Sequence, residues 1–108
     1  MANTFKLKTK ANVGVTTSNV YAVPSATTTV VIGVTLSNTT GSNINVGVGI
    51  TRASTDDVSL MKNIPIPQGS SFEFMSGNKV VLEATDTFTA ESDINNSLDV
   101  ALTIMEIT

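Results

Sequence analysis

The stretch VVIGVTLSNTTGSNINVGVGI, residues 30–50, predicts how this chain folds. Two apolar runs alternate with small or polar residues, and a cluster of turn-forming residues, NTTGSN at 38–43, separates them. Alternation with a period of two is typical of a strand with one buried face. We therefore interpret the stretch as two β-strands joined by a hairpin loop. The residues expected to face inward are Val30, Ile32, Val34, Leu36, Ile44, Val46, Val48 and Ile50.

The same alternation recurs along most of the chain, and no window keeps the i, i+3, i+4 spacing of a helix. Further clusters of turn-forming residues occur at 24–26, 54–57, 76–78 and 93–96. Eight or nine candidate strands lie near 4–13, 18–23, 27–37, 43–52, 57–62, 70–75, 79–84, 86–92 and 97–107. Short strands at this spacing predict an all-β protein, an antiparallel β-sandwich of which a jelly roll is one form.

Composition and charge narrow the classes of function. The 108 residues suit one domain, and charged residues make up 14% of them, below the roughly 25% of an ordinary soluble domain. The net charge of −3 is uneven, because three lysines fall in the first ten residues and the remainder holds three cations against nine acids. An acidic body argues against binding to nucleic acid. We predict a basic arm or first strand at 1–13, followed by one sandwich domain at 14–108.

The first segment pairs an apolar face with a row of lysines. Phe5 and Leu7, on the face expected to be buried, alternate with Lys6, Lys8 and Lys10. One interpretation is the solvated face of an edge strand, where lysines discourage unwanted pairing. The other is an arm that adds to a neighbouring sheet or lies on an acidic surface. Phe5 and the three lysines are therefore candidate partner-binding residues.

The segment KNIPIPQGSSFEF, residues 62–74, holds two prolines in a strand-like pattern. Pro65 and Pro67 have no N–H to donate, so this segment cannot lie at the centre of a sheet. We interpret it as a stiff, extended connection that crosses between the two sheets. Ile64 and Ile66 are expected to pack inward; the alternative is an exposed ridge, formed with the prolines, that docks onto a partner.

The chain contains no cysteine and no histidine, which excludes disulfides, thiolate chemistry and the usual base of a nucleophilic triad. Asp56 and Asp57 are interpreted as a solvated turn, with calcium binding as the alternative. The later acids are expected to coat the outer face of a hairpin: Glu83, Asp86, Glu91 and Asp93. We predict that the protein is not an enzyme and has no catalytic residue, cofactor or metal site.

Two further features concern the glycines and the membrane. Gly33, Gly47 and Gly49 fall inside strand patterns, where glycine marks a bulge or the close approach of another backbone. No apolar run approaches the roughly 18 residues needed to cross a bilayer. We expect a soluble chain that is made without Sec export and does not contact a membrane.

Several segments together resemble a recurrent small virion protein of tailed bacteriophages, especially cyanophages. The matching residues are Val23 and Pro24 with Thr27 and Thr28, then 62–70, 79–86 and 105–107. The resemblance covers residues 18–108. Thr85 departs from it, since the family pattern has glycine before the aspartate at position 86.

The resemblance implies a structural β-domain of the virion, without enzymatic residues. It suggests a capsid cement or decoration protein that binds the major capsid protein or other virion proteins and self-associates, for example as a trimer. The alternatives are a structural component of the neck, tail or baseplate, or a carbohydrate-binding module for host recognition.

Overall fold

The computed structural model describes residues 3–52, 56–74 and 80–108, which form nine β-strands and no helix. The strands are β1 (Asn3–Val13), β2 (Ser18–Ala22), β3 (Thr28–Asn38), β4 (Ile44–Thr51), β5 (Val58–Ile66), β6 (Ser71–Phe74), β7 (Val80–Leu82), β8 (Thr87–Ser92) and β9 (Leu98–Ile107). Each overlaps one predicted strand, so the all-β prediction is confirmed. The predicted turn at 76–78 and positions 54–55 lie outside the described residues. Within those residues, no helix is long and apolar enough to span a membrane.

The strands form two antiparallel sheets with a shared core. Sheet A has the order β1-β9-β3-β6, with β7 also paired to β3, and sheet B has the order β2-β8-β4-β5. β6 and β7 lie along the same edge of β3, opposite residues 34–37 and 29–31. Counted as one interrupted strand, they leave eight strands in the orders 1-8-3-6 and 2-7-4-5. This is the strand order of a jelly roll, the form of sandwich that the alternation allowed.

Both sheets supply apolar side chains to a single core. Leu36 and Leu102 from sheet A meet Ile44 and Phe88 from sheet B, and all four are almost completely buried. Burying one such side chain stabilises the folded state by roughly 1.5–3 kcal/mol. Alternating apolar side chains form this core. The described residues contain no cysteine and no group of side chains that could hold a metal ion.

A β-bulge in β3 reverses the predicted alternation at one end of the strand. The register of β3 against β9 shifts between Val31 and Gly33. One extra residue moves later side chains to the opposite face, so Val31 lies in the core before the bulge and Leu36 after it. Val30 and Ile32 are only half-buried, and the prediction that they face inward is wrong.

The turn at 38–43 joins β3 in sheet A to β4 in sheet B, so the prediction of a hairpin is wrong. Asn38 holds this crossing together from a buried position. Its side-chain amide donates to the carbonyl oxygens of Ser42 at 2.7 Å and Ile66 at 3.0 Å. Its Oδ1 accepts the N–H of Thr40 at 2.9 Å. The alternation is the same whether the next strand joins its own sheet or the opposite one.

Residues 62–66 of the two-proline segment form the end of β5, the edge strand of sheet B, and Pro67 follows this strand. Pro65 is tolerated there because the outer side of an edge strand needs no N–H donor, which confirms that this segment avoids the centre of a sheet. Residues 62–66 are not the predicted connection between sheets, because they pair with β4. The crossing starts at Pro67, whose carbonyl accepts the N–H of Ser70 at 3.1 Å, with Gly69 at φ 66°.

Candidate interaction surface

β1 lies at the edge of sheet A with its two faces reversed from the predicted arrangement. Lys6 is directly opposite Ile104, a fully buried residue of β9. Opposite residues of an antiparallel pair share a face, so the lysines lie on the core side of the sheet. Phe5 and Leu7 therefore point outward and are 70% and 66% exposed.

A buried polar cluster between the sheets accounts for this reversal. Glu106 of β9 is buried, and Lys6 Nζ lies 2.8 Å from its Oε1. The Tyr21 hydroxyl donates to Glu106 Oε2 at 2.5 Å and lies 2.8 Å from Thr29 Oγ1. A buried carboxylate without a cation is unfavourable, and the Lys6 ammonium, which solvent reaches in part, offsets some of that cost.

The cluster has a defined protonation state. The hydrogen bond from Lys6, followed by that from Tyr21, lowers the pKa of Glu106 below its ordinary value of 4.5. Burial, assisted by the hydrogen bond to Glu106, raises the pKa of Tyr21 from 10.0 to about 12. Lys8 Nζ lies 5.8 Å from the centroid of the Tyr21 ring, within range of a cation–π contact. At neutral pH the ion pair between Lys6 and Glu106 therefore connects β1 to the buried polar cluster.

An uncovered apolar row crosses the outer face of sheet A. The strand registers place Val81 beside Val30, Val30 beside Met105, and Met105 beside Phe5. We call these four residues the outer apolar row. Val81 and Phe5 are more than half exposed, and the other two are half-buried. Leu7 extends the row along β1 by one outward position, which makes the row the candidate interaction surface.

Gly49 and Gly33 differ in whether neighbouring atoms leave room for a side chain. A Cβ on Gly49 would lie 2.7 Å from the carbonyl oxygen of Val58, so this glycine allows the backbone of β5 to approach, as predicted. A Cβ on Gly33 would meet nothing within 4 Å, and its φ is not left-handed. Gly33 lies in the bulge of β3, opposite Thr103 and next to the outer apolar row. Its place in a bulge agrees with the prediction, and contacts among the described residues do not explain its small size.

The acids differ in their exposure and in their contacts. Asp86 is buried and accepts the Glu83 N–H at 2.9 Å and Arg52 Nε at 3.1 Å, so its predicted place on an outer face is wrong. Arg52 also contacts the Glu83 carboxylate. Glu91 and Asp93 are exposed, as predicted, but the predicted hairpin is wrong because β7 and β8 lie in different sheets. In the part of the chain that the structure describes, no three acids are arranged to hold a metal ion.

A shallow groove of about 200 Å³ lies on the outer face of sheet B. Its lining includes Gly47 and Gly49 on the floor, with Asp57, Lys62 and Glu91 at the sides. None of the described residues that line it is aromatic. The groove therefore lacks a flat apolar surface on which a sugar ring could stack.

The predicted partner-binding residues fall at two separate places. Phe5, Lys6, Lys8 and Lys10 lie on β1 at the edge of sheet A, and residues 64–67 lie at the end of β5, the edge of sheet B. In the second group Ile66 is in the core and Ile64 packs against it, which leaves only Pro65 and Pro67 exposed. Binding of a partner by either group remains a prediction.

Three residues of the polar cluster were not recognised in the sequence: Tyr21, Thr29 and Glu106. For Glu106 a signal exists, because it continues the inward positions Leu98, Val100, Leu102 and Ile104 at the same period of two. A carboxylate at an inward position implies a buried cation or donor nearby. The sequence gives no comparable signal for the ion pair of Arg52.

Comparison with known proteins shows the fold. No family model matches the chain, and no curated protein matches it. It is similar to a chain from Bacillus endospore appendages, which form disulfide-linked pili, with 15% identity, a TM-score of 0.60, and coverage of 99% of this chain and 87% of that one. It is also similar to a chain from the acid-stable capsid of Helicobacter pylori bacteriophage KHP30. That match has 16% identity, a TM-score of 0.58, and coverage of 100% and 94%.

Proposed function

We propose that this protein is a structural component of a bacteriophage virion, where it acts as a capsid cement or decoration protein. The outer apolar row is the observation that carries the proposal, because a jelly roll with its core already closed keeps a further apolar surface uncovered. The similarity to a chain of the KHP30 capsid supports it, since nearly the whole of both chains is covered. That phage infects Helicobacter pylori, so the similarity supports a virion component without favouring cyanophages.

The proposed mechanism is burial of surface at junctions between capsid subunits. The major capsid protein or another virion protein covers the outer apolar row, and each Å² of apolar surface removed from water contributes roughly 25 cal/mol. One copy adds a modest free energy, and many copies on one shell multiply it into resistance to internal pressure. Copies that self-associate, for example as trimers, bind several junctions at once.

A second candidate is a structural component of the neck, tail or baseplate. The similarity to a chain of the Bacillus appendage pili favours it, because the same fold there belongs to a fibre. A carbohydrate-binding module is the third hypothesis. It would use the groove on sheet B, and binding on a glycan array would support it, although the groove lacks an aromatic platform.

Gold-labelled antibodies against the recombinant protein test the location. Applied to virions made from the genome that encodes the chain, they are expected to label the head at many sites. Label confined to the neck, tail or baseplate would favour the second candidate. The proposal would be overturned if mass spectrometry of purified particles did not find the chain in a stoichiometric amount.

A further inference from the structure

β1 is held to the protein mainly through its backbone. Of the residues of β1, only Val13 is buried and Lys8 half-buried, whereas the others are exposed. Residues 3–10 form an antiparallel ladder with β9, and the Lys6–Glu106 ion pair and the approach of Lys8 to the Tyr21 ring add two side-chain contacts. None of residues 3–10 belongs to the core cluster, so moving this segment away would take no apolar side chain out of the core.

The strand divides into two parts at residues 11–12. The ladder with β9 shifts register between Lys10 and Val13, and Asn12 has a left-handed φ of 58°. On the far side of this break the chain is anchored, because Val13 is buried and its carbonyl accepts the N–H of Ser97 at 3.1 Å. The bulge is therefore a hinge between a fixed residue and a loosely packed strand.

We propose that residues 3–10 exchange between copies of this chain, so that the segment of one copy pairs with β9 of a second copy. The exchanged ladder is identical to the closed one, and its free energy is retained. Opening the hinge releases Asn12 from its left-handed conformation and breaks the hydrogen bond from its N–H to Asp99 Oδ1 at 3.0 Å. This inference goes beyond the proposed function, and each can fail without the other, since the test uses purified protein alone.

The polar cluster favours the exchange of β1 between copies over the addition of β1 to the free edge of any other sheet. In an exchanged pair, Lys6 meets Glu106 of the second copy in the same register and the buried carboxylate keeps its cation. Addition to another edge would leave that carboxylate without Lys6. Exchange also places Phe5 of one copy beside Met105 of the other, which joins their outer apolar rows.

Cross-linking between cysteine variants tests the exchange, since the natural chain has no cysteine. Leu7 and Thr103 are opposite each other in the β1–β9 ladder, and both are exposed. The single variants L7C and T103C are unfolded together, refolded at high concentration and treated with a short bifunctional thiol reagent. We expect a covalent dimer with one chain of each variant, joined between positions 7 and 103 in mass spectrometry.

The matched control is a mixture of T35C and A101C. These residues are opposite each other in the β3–β9 ladder and share the outer face, but neither lies in the exchanging segment. This mixture is expected to give no covalent dimer. Circular dichroism confirms that all variants fold, and the double variant L7C/T103C shows that the reagent spans the pair. Links within the double variant alone, or equal dimer yields from both mixtures, would overturn the exchange.

Discussion

Thr85 shows how one residue can carry strain within a well-packed fold. Its φ is 70°, in the left-handed region where a β-branched side chain is unfavourable. The resemblance to phage virion proteins expects glycine at this position, and the backbone conformation agrees with that expectation. Replacement with glycine is therefore expected to relieve strain in the turn before β8.

We expect Thr85→Gly to raise the free energy of unfolding by about 1 kcal/mol, the usual penalty of this conformation for residues other than glycine. Urea denaturation at neutral pH measures it. Thr16→Gly is the control, because Thr16 is exposed in a loop and has no left-handed φ, so added flexibility should leave stability unchanged or lower. A loss of stability in Thr85→Gly would contradict the strain argument.

The Tyr21 hydroxyl makes the free energy of unfolding depend on pH in the alkaline range. Below pH 10 its hydroxyl is protonated in the folded and the unfolded chain, and the full contribution is present. As the pH rises from 10.0 towards the folded pKa of about 12, the unfolded chain loses the proton first. Stability therefore falls across this window, by on the order of 2 kcal/mol.

The variant Tyr21→Phe isolates that contribution. Without its hydrogen bonds to Glu106 and Thr29, the variant should lose about 1–2 kcal/mol at pH 7. Between pH 9 and 11 its unfolding free energy should decline less than that of the natural chain, since no phenol remains at this site. Urea denaturation at several pH values provides the measurement, and parallel declines would refute the assignment.

Lys6 and Lys10 lie on the same face of β1 but differ in their contacts. Lys6 pairs with buried Glu106, whereas Lys10 forms none of the ion pairs found among the described residues. We expect Lys6→Met to cost about 1–2 kcal/mol, since solvent partly screens the pair while the carboxylate stays buried. Lys10→Met should be nearly neutral. Equal costs in urea denaturation would show that the ion pair contributes nothing specific.

The same pair makes a prediction about acid. Glu106 has a lowered pKa, so its contribution is present above the unfolded value of 4.5 and is lost as the pH falls through the folded value. In Lys6→Met the main cause of that lowering is gone. Its stability should therefore decline less steeply below pH 4.5 than that of the natural chain.

At the scale of elements, the alternation located the strands but not their sheets. Each of the nine strands was predictable, because a period of two survives wherever one face is buried. The crossing at 38–43 was not, since a turn within one sheet and a crossing between sheets use the same polar residues. A bulge was one of the two alternatives predicted for Gly33, but the reversal of faces that it causes was hidden, because both Val31 and Ile32 are apolar and suit either face.

β1 shows a second limit of pattern analysis. Its apolar residues were assigned to the core and its lysines to solvent, yet the structure reverses both. The decisive residue is Glu106, one hundred positions after Lys6, whose buried carboxylate requires a cation. Local alternation carries no information on such a distant partner, although the inward position of Glu106 in β9 was visible.

The side chain of Asn38 stabilises the crossing between the sheets, and a substitution can test this role. Its buried side chain holds three backbone groups, so Asn38→Ala is expected to lower the free energy of unfolding by about 2–3 kcal/mol. Asn45→Ala is the matched control, because that side chain is exposed and makes no hydrogen bond within the described residues. Comparable losses in thermal or urea denaturation would argue against a special role for the crossing.

At the scale of the whole molecule, the outer apolar row should matter for assembly and not for folding. We expect the double variant Phe5→Ser, Met105→Ser to keep its unfolding free energy within about 1 kcal/mol, because both side chains are on the outer face. Its occupancy on capsids, measured by quantitative mass spectrometry after incubation with particles that lack the protein, should fall.

Val15→Ser with Val58→Ser is the matched control. Both valines are exposed, 53% and 45%, and lie outside the outer apolar row. This variant removes a similar amount of exposed apolar surface and should occupy capsids like the natural chain. If both double variants bind equally well, the outer apolar row is not the contact surface.

The position of β9 in sheet A also governs when the protein can fold. β9 lies between β1 and β3 and pairs with both, yet the ribosome makes it after all the other strands. Among the strands of the described residues, only β4 and β5 are both consecutive in the chain and paired with each other. The remaining pairings join distant parts of the chain, which slows their formation. The sandwich therefore closes only once β9 has left the exit tunnel, and until then β3 lacks a neighbouring strand of sheet A and its apolar face stays exposed to aggregation.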